Sequence, residues 1–340
     1  MTSSFSRNLC LCSMFFVLLC SPFWGPAPYD SAHYLSYFMT ETISDGFNPT
    51  TGMLILTELR LPRLFGAALC GSCLSIAGIL CQGLFRNPLA DPGILGCSGG
   101  SSLCVLLLYS LGLQWKPELS VPLAAFTGAI ISTVILLLIS GNILKSPGFG
   151  QLLLSGMALA SLWGALNSFL ISLSVSRHEL LQSVMKWLLG GLQALTWKQL
   201  AWSTMPCILG IVWALSLSRK LDILSLGYGV AESLGIAAAG IRIQSIACMS
   251  LLLAMVVSLA GPLPFVGLIV PHLTRMIVGP GHRQLMICGL ANGASLLIFA
   301  DLCARSLFMP EEAELGVLTS LIGAPFFFWI LCMQRKELLC

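Results

Sequence analysis

Charge is what this chain most lacks. Aspartate, glutamate, lysine and arginine make up 9% of its 340 residues, against about 25% in an average soluble protein. Apolar residues make up 56% and the mean hydropathy is +0.91, so no room is left for a large soluble domain. The net charge of +3 is small and dispersed, which argues against a nucleic-acid-binding surface. The composition therefore predicts a polytopic integral membrane protein.

Several chemical motifs are also missing. No lysine follows a glycine, so the chain has no GxxxxGK[ST] loop for binding and hydrolysing ATP. The four histidines form neither HxxxH nor HExxH, which argues against a metal site. The sequence also contains no Ser/His/Asp arrangement of the kind that would indicate a membrane enzyme. Carboxylates are missing from the middle of every predicted span, and Asp301 sits near the end of one, whereas proton-driven carriers usually need buried ionisable relays.

The 14 cysteines favour neither disulfides nor a redox site, because nearly all lie in apolar runs and not in loops. Cys70 and Cys73 form a CxxC motif, but on a helix they are neighbours one turn apart among small residues. The cysteines in apolar runs are Cys10, Cys12, Cys20, Cys70, Cys73, Cys81, Cys97, Cys104, Cys207, Cys248, Cys288 and Cys332.

Ten apolar segments predict about ten transmembrane helices, since a bilayer core of ~30 Å needs about 20 residues. They are 9–25, 56–80, 93–112, 119–140, 149–173, 197–217, 243–262, 263–279, 284–302 and 314–333. The first is interpreted as a retained span and not as a cleaved signal peptide. With both termini inside, the inner loops hold ten of the 17 lysines and arginines, the excess expected on the cytoplasmic side.

Small and polar residues within the spans have structural explanations. Gly96/Gly100 and Gly289/Gly293 are GxxxG pairs, which allow helix backbones to approach closely. The polar side chains deep in the apolar segments are interpreted either as interhelical hydrogen-bonding groups or as pathway residues. They are Asn142, Gln151, Asn167 and Asn292.

Two polar connections stand out. In RNPLADPG, Asp91 can cap a helix that begins at Pro92, and Asn87-Pro88 can begin a short turn in the same way. The inner loop 218–242 is amphipathic enough for two short helices. That loop is either a pair of interfacial helices or a docking platform for a soluble partner.

Taken in order, the motifs resemble the FecCD-type permeases, the membrane subunits of ABC importers for iron–siderophore complexes, haem and vitamin B12. The resemblance runs from about Arg60 to the C-terminus. It rests on RLPR (60–63) with RNPLADPGILG (86–96), WLLGGL (187–192), LSLG and AESLG (224–235), GPLPFVGLIVPHLTR (261–275), ADLCAR (300–305) and GVLTSLIGAPFF (316–327).

The resemblance implies a single transmembrane permease domain over 1–340 with the type II ABC importer fold, containing a coupling loop at 218–242. It implies a multi-pass protein of the bacterial cytoplasmic membrane that dimerises with a second copy or a paralogue. Two cytoplasmic ATP-binding subunits would hydrolyse the ATP, and an extracytoplasmic binding protein would deliver the substrate. No cofactor would be bound directly. An iron chelate is the expected cargo; vitamin B12 and a secondary transporter without ATPase are the alternatives.

Residue roles follow from the same resemblance. Arg60, Arg63 and Arg305 match arginines that pair with glutamates of the binding protein. The alternatives are interfacial anchoring and, for Arg305, an i,i+4 pair with Asp301. Positions matching the ATPase-coupling segment are Leu226, Gly227, Ala231, Leu234 and Gly235.

The remaining assignments are a gate and two hinges. Trp187 and Gly190 match an outer gate, and Asn167 is a pathway candidate. The hinge residues are Asn87, Pro88, Asp91, Pro92, Pro271 and His272, of which Pro271 is expected to break its helix. The chain departs from the family where Tyr228-Gly229 follow Gly227 and where Ala313 to Gly316 lack the usual proline.

Overall fold

A computed structural model describes residues 53–113, 115–140, 149–174, 178–235, 237–307 and 312–337. These residues form helices and no strand, which confirms the all-α prediction. The α-helices are α1 (Leu61–Phe85), α2 (Cys97–Ser110), α3 (Pro117–Ile139), α4 (Phe149–Leu173), α5 (His178–Leu189), α6 (Trp197–Leu226), α7 (Tyr228–Ser233), α8 (Ala238–Ala260), α9 (Val266–Val278), α10 (His282–Ser306) and α11 (Leu315–Glu337). A π-helical segment, Ile55–Arg60, leads directly into α1.

Seven of these helices are long and apolar enough to cross a membrane: α1, α3, α4, α6, α8, α10 and α11. The shorter apolar helices α2 and α9 match two further predicted spans, while predicted span 9–25 lies outside the described residues. At 1.5 Å per residue, the 13 residues of α9 rise only ~20 Å. Following the predicted orientation, the end that holds the start of α1 is called the outer end, and the end that holds α7 the inner end.

Helix α1 lies at the centre, packed against α6, α8, α9 and α10. A Cβ on Gly71 would lie 2.1 Å from the carbonyl oxygen of Gly293, and a Cβ on Gly293 would lie 2.3 Å from that of Gly71. Gly100 and Gly128 bring α2 and α3 together in the same way. The predicted packing role of the small residues is therefore confirmed for Gly293 and Gly100.

A Gly293→Leu variant should be destabilised by at least about 3 kcal/mol, because overpacking alone costs ~1–3 kcal/mol and here the obstacle is backbone. Thermal unfolding in mild detergent would measure the loss. Gly240→Leu is the matched control, since a Cβ on Gly240 meets nothing within 4 Å. Equal unfolding temperatures for the two variants would contradict the close contact between α1 and α10.

The hinge after α1 confirms the predicted cap. The Asp91 carboxylate accepts a hydrogen bond of 2.7 Å from the Gly93 amide, and Pro92 occupies the first turn. The capped element is a short 3₁₀ helix, Pro92–Leu95, and not the start of the predicted span. Gly96 then adopts a left-handed φ of 78° before α2 begins, a conformation that glycine adopts without a Cβ penalty.

The expected break at Pro271 is wrong, because α9 runs through this proline from Val266 to Val278. Proline lacks the amide that would bond the carbonyl four residues earlier, which belongs to Gly267. That carbonyl faces Gly78 of α1, where a Cβ would lie 1.8 Å from the oxygen. The next carbonyl, Leu268, accepts a hydrogen bond of 3.3 Å from the Gln82 side chain. Contacts with α1 therefore hold α9 continuous.

Candidate functional site

Four charged side chains form an outer ion-pair cluster at the outer end of α1 and α10, namely Arg63, Asp301, Arg305 and Glu312. Arg63 Nε lies 2.6 Å from Asp301 Oδ1, and Arg63 Nη1 lies 2.7 Å from Glu312 Oε2. Arg305 Nε lies 3.4 Å from Asp301 Oδ2, across one helical turn. The side chains of Asp301 and Arg305 are only 3% and 6% exposed. The cluster therefore joins the start of α1 to the end of α10.

The structure brings the three arginines proposed for docking to the same end of the bundle. Each is largely buried, with Arg60 6% exposed and the Arg63 side chain 11% exposed. Arg305 takes the i,i+4 pair with Asp301 that was the alternative to docking. The bonds from Arg63 to Asp301 and Glu312, which join residues 238 and 249 positions apart, were not predicted from the sequence. Docking by these arginines stays a prediction.

The predicted gate lies where three chain segments meet. Gly190 has a φ of 70°, and a Cβ there would lie 2.3 Å from the Pro262 carbonyl oxygen. The Gly191 amide donates to the Ala260 carbonyl at 2.8 Å, and the Gly316 amide donates to Gly190 at 3.2 Å. Segments after α5 and α8 are thus bonded to the start of α11. Only a glycine fits this crossing without strain.

A cavity of about 320 Å³ opens beside this crossing and is lined by Trp187, Lys186, Glu118 and Glu314 among others. Burial raises the pKa of Glu314, while the positive charges of Lys186 and Arg63 oppose the shift. Trp187 also packs against Val105 and neighbouring apolar residues. The predicted gate residue therefore borders a cavity at the outer end whose largely apolar lining includes charged side chains.

Two polar residues within the spans serve as interhelical links. The Asn167 amide on α4 donates to the Gly99 carbonyl of α2 at 3.2 Å. The Asn292 amide on α10 donates to the Thr274 hydroxyl of α9 at 2.9 Å. Gln151 is exposed on α4, and Asn142 lies outside the described residues. Asn167 stays a pathway candidate, but the bond to Gly99 already gives it a packing role.

The other predicted hinge residues make local contacts. The Asn87 side-chain oxygen accepts from the Leu89 amide at 2.9 Å, which closes the predicted turn around Pro88. The His272 ring meets Phe326 edge-on at 5.9 Å and so joins α9 to α11.

At the inner end, α7 and the residues that flank it present an apolar surface, which we call the coupling stripe and which consists of Leu226, Val230 and Leu234. Their exposed fractions are 69%, 43% and 60%. Ala231 on the opposite side is fully buried and anchors the helix. Gly227 and Gly235 bound α7 with φ values of 135° and 74°, which side chains disfavour. The five residues predicted for coupling thus form one compact unit, to which the structure adds Val230.

Comparisons with known proteins agree with this arrangement. The sequence profile of the FecCD transport family matches residues 13–333. This chain belongs to the FecCD transport family. It is 37% identical over 285 residues to the Fe(3+) dicitrate transport system permease protein FecD of Escherichia coli (strain K12), covering 83% of this chain and 86% of the relative.

Two further relatives are permeases for different cargoes by name. The hemin transport system permease protein HmuU of Yersinia pestis is 37% identical, covering 83% of this chain and 84% of its own. The vitamin B12 import system permease protein BtuC of Shigella boydii serotype 18 (strain CDC 3083-94 / BS512) is 36% identical, covering 87% and 88%. Because similar identities accompany three cargo names, overall identity does not select among them.

A solved structure shows that the likeness extends to the fold. It is an inward-facing conformation of a metal-chelate type ABC transporter, with a TM-score of 0.82 and 31% sequence identity. The alignment covers 95% of this chain and 98% of that one. The helical arrangement described above is therefore that of a transport permease of this family.

Proposed function

We propose that the protein is the permease subunit of an ABC importer that moves an iron chelate across the cytoplasmic membrane of a bacterium by alternating access. The observation that carries this proposal is the family match over residues 13–333 together with the likeness to a metal-chelate type transporter. The FecD and HmuU names support a ferric chelate or haem as cargo. Vitamin B12 is the second candidate, favoured by the comparable identity to BtuC.

The energy source is ATP hydrolysed by separate subunits that bind the inner end. The coupling stripe supports this step, since three exposed apolar side chains on and beside a short anchored helix suit insertion into a cleft of a soluble partner. Gly227 and Gly235 fix the direction in which the stripe projects. A secondary transporter would need neither this surface nor an ATPase.

The first experiment is a mild-detergent purification of the tagged protein from its native host, with mass spectrometry of the proteins that accompany it. We expect a P-loop ATPase, a binding protein and either one permease sequence or two related ones. Reconstituted with these partners, the complex should take up labelled ferric chelate or haem only with ATP. ATP-driven uptake of cobalamin, without uptake of ferric chelate or haem, would identify vitamin B12 as the cargo in place of an iron chelate. Uptake without any ATPase would overturn the importer proposal.

At the outer end, the binding protein is proposed to dock near Arg60, Arg63 and Arg305 through its glutamates. Each variant Arg60→Glu or Arg305→Glu should weaken capture of the loaded binding protein at least about tenfold, more strongly at low salt because dissolved ions screen the attraction between the two approaching proteins. Surface plasmon resonance on reconstituted permease would measure the affinity.

The control separates docking from simple loss of packing around these largely buried side chains. A reciprocal Glu→Arg change on the binding protein should restore capture by the matching variant, which damage to the permease fold could not produce. If no reciprocal change restores capture, the docking role is excluded for that arginine.

A further inference from the structure

An open cavity of about 440 Å³ lies between α6 and α10 at the inner end, away from both the gate and the coupling stripe. Its lining consists of Leu215, Ser216, Ser218, Arg219, Arg283 and Ile287. The volume falls within the range of ~300–1,000 Å³ that is usual for small-ligand sites. Two arginines from different helices thus face one space.

Neither guanidinium is used by the protein itself. Arg219 and Arg283 are exposed, and neither has a hydrogen bond or an ion pair within the described residues. The nearby carboxylate, Asp222, is already held by His282, whose Nδ1 lies 2.6 Å from Asp222 Oδ1. The cavity therefore carries two positive charges, and the carboxylate three residues after Arg219 is already engaged by His282. Lys220, also exposed, adds a third positive charge nearby.

The polarity changes within one helical turn on both walls. Helix α6 runs inward, so Leu215 lies one turn deeper in the membrane than Arg219. Helix α10 runs outward, so Ile287 lies one turn deeper than Arg283. The Ser216 and Ser218 hydroxyls, which also line the cavity, donate to carbonyls of their own helix at 2.6 and 2.7 Å. The site therefore has a charged mouth above an apolar floor.

An exposed apolar stripe on α6 continues this floor into the membrane. Met205, Leu209 and Val212 are 68%, 57% and 58% exposed and lead at helical spacing toward Ser216 and Arg219. Arg219 follows Leu209 by ten positions, a rise of ~15 Å along the helix, which is about half of the ~30 Å bilayer core. That depth is the length of one lipid leaflet.

We propose that this cavity binds the phosphate headgroup of an anionic phospholipid of the inner leaflet, with an acyl chain lying along the Met205–Val212 stripe of α6. The cytoplasmic leaflet is anionic, and basic pockets between membrane helices on that side suit such headgroups. An acidic surface on a cytoplasmic subunit fits less well, because the coupling stripe begins at Leu226, about 10 Å farther along α6 than Arg219.

Native mass spectrometry of the purified full-length chain tests the proposal by titration with phosphatidylglycerol and with phosphatidylcholine of the same acyl chains. Each basic residue near an anionic lipid surface contributes about fivefold in binding, so phosphatidylglycerol should bind at least about tenfold more tightly. The double variant Arg219→Ala with Arg283→Ala should lose this preference. Arg219→Lys with Arg283→Lys should retain it, because the charges remain.

Lys198→Ala is the matched control, since Lys198 is an exposed basic residue at the opposite end of α6; the preference should be unchanged. If the double variant does not fold, the single variants Arg219→Gln and Arg283→Gln should each show about a fivefold loss. A preference that survives in the alanine variant overturns the proposal. The proposal is also overturned if glycerol phosphate binds as tightly as the lipid. It is overturned as well if the alanine variant no longer co-purifies with the ATPase partner while its lipid binding is unchanged.

Discussion

An Arg63→Ala variant should have a free energy of unfolding about 3–5 kcal/mol lower than that of the parent protein, because it removes the shorter of the two ion pairs of the buried Asp301 carboxylate. Arg63 provides the two shortest contacts of the outer ion-pair cluster, 2.6 Å to Asp301 and 2.7 Å to Glu312. The Asp301 side chain is 3% exposed in the parent protein, and without Arg63 its remaining ion pair is the longer one to Arg305, at 3.4 Å. Denaturant unfolding in mild detergent would measure the difference in free energy.

The same variant distinguishes a structural role from docking. Arg63→Lys keeps the positive charge but loses the planar guanidinium that bonds two carboxylates at once. Its free energy of unfolding should therefore fall between those of the parent and of Arg63→Ala. Lys116→Ala, at an exposed lysine of the outer end, should leave stability unchanged. A normal unfolding free energy combined with lost capture of the binding protein would contradict the internal role and favour docking.

A Leu234→Glu variant should reduce substrate-stimulated ATP hydrolysis and transport at least about tenfold while leaving the permease folded. Leu234 is 60% exposed and belongs to the coupling stripe, so a charge there costs the fold little but would be buried against the ATPase. The measurement is ATPase activity of the reconstituted complex with and without loaded binding protein. Gly235→Trp should act in the same direction, but the φ of 74° at this position adds backbone strain.

Leu113→Glu is the matched control, because Leu113 is 57% exposed at the outer end and distant from α7. Its stimulated hydrolysis should equal that of the parent. If Leu234→Glu also shows normal stimulation, the coupling stripe does not transmit ATP hydrolysis to this permease. If Leu234→Glu prevents co-purification of the ATPase, the stripe acts already in assembly.

Hydropathy located the spans that fall within the described residues but misjudged where the helices end. The prediction stopped the sixth span at 217, yet α6 continues to Leu226. Charged residues lower the mean hydropathy there, while Leu221 and Leu224 stay fully buried and hold the helix on its neighbours. The predicted span 93–112 is a 3₁₀ turn followed by a helix, since Gly96 allows a left-handed residue between them. Helix ends depend on such tertiary contacts, which a sliding average does not contain.

Sequence reasoning predicted individual residues of the candidate site but not the contacts between them. Family motifs marked Arg63 and the coupling residues, and local capping rules correctly placed Asp91 before Pro92. The bonds of Arg63 to Asp301 and Glu312 cross more than 200 residues of sequence. The spacing of apolar residues along a helix does not indicate contacts between positions so far apart in the sequence. The role of Gly78 beside the Gly267 carbonyl was hidden for the same reason.

Helix α10 is fastened at both of its ends, and to different neighbours. Arg63 ties its outer end to α1, and the His282–Asp222 pair ties its inner end to α6. A helix that is held at both ends resists tilting, and a displacement of one end moves the other end with it. During an alternating-access cycle, α1, α6 and α10 should therefore travel together as a rigid unit. Relative displacement within the subunit would then occur at loosely packed helices such as α4, whose apolar stretch is only 17% buried.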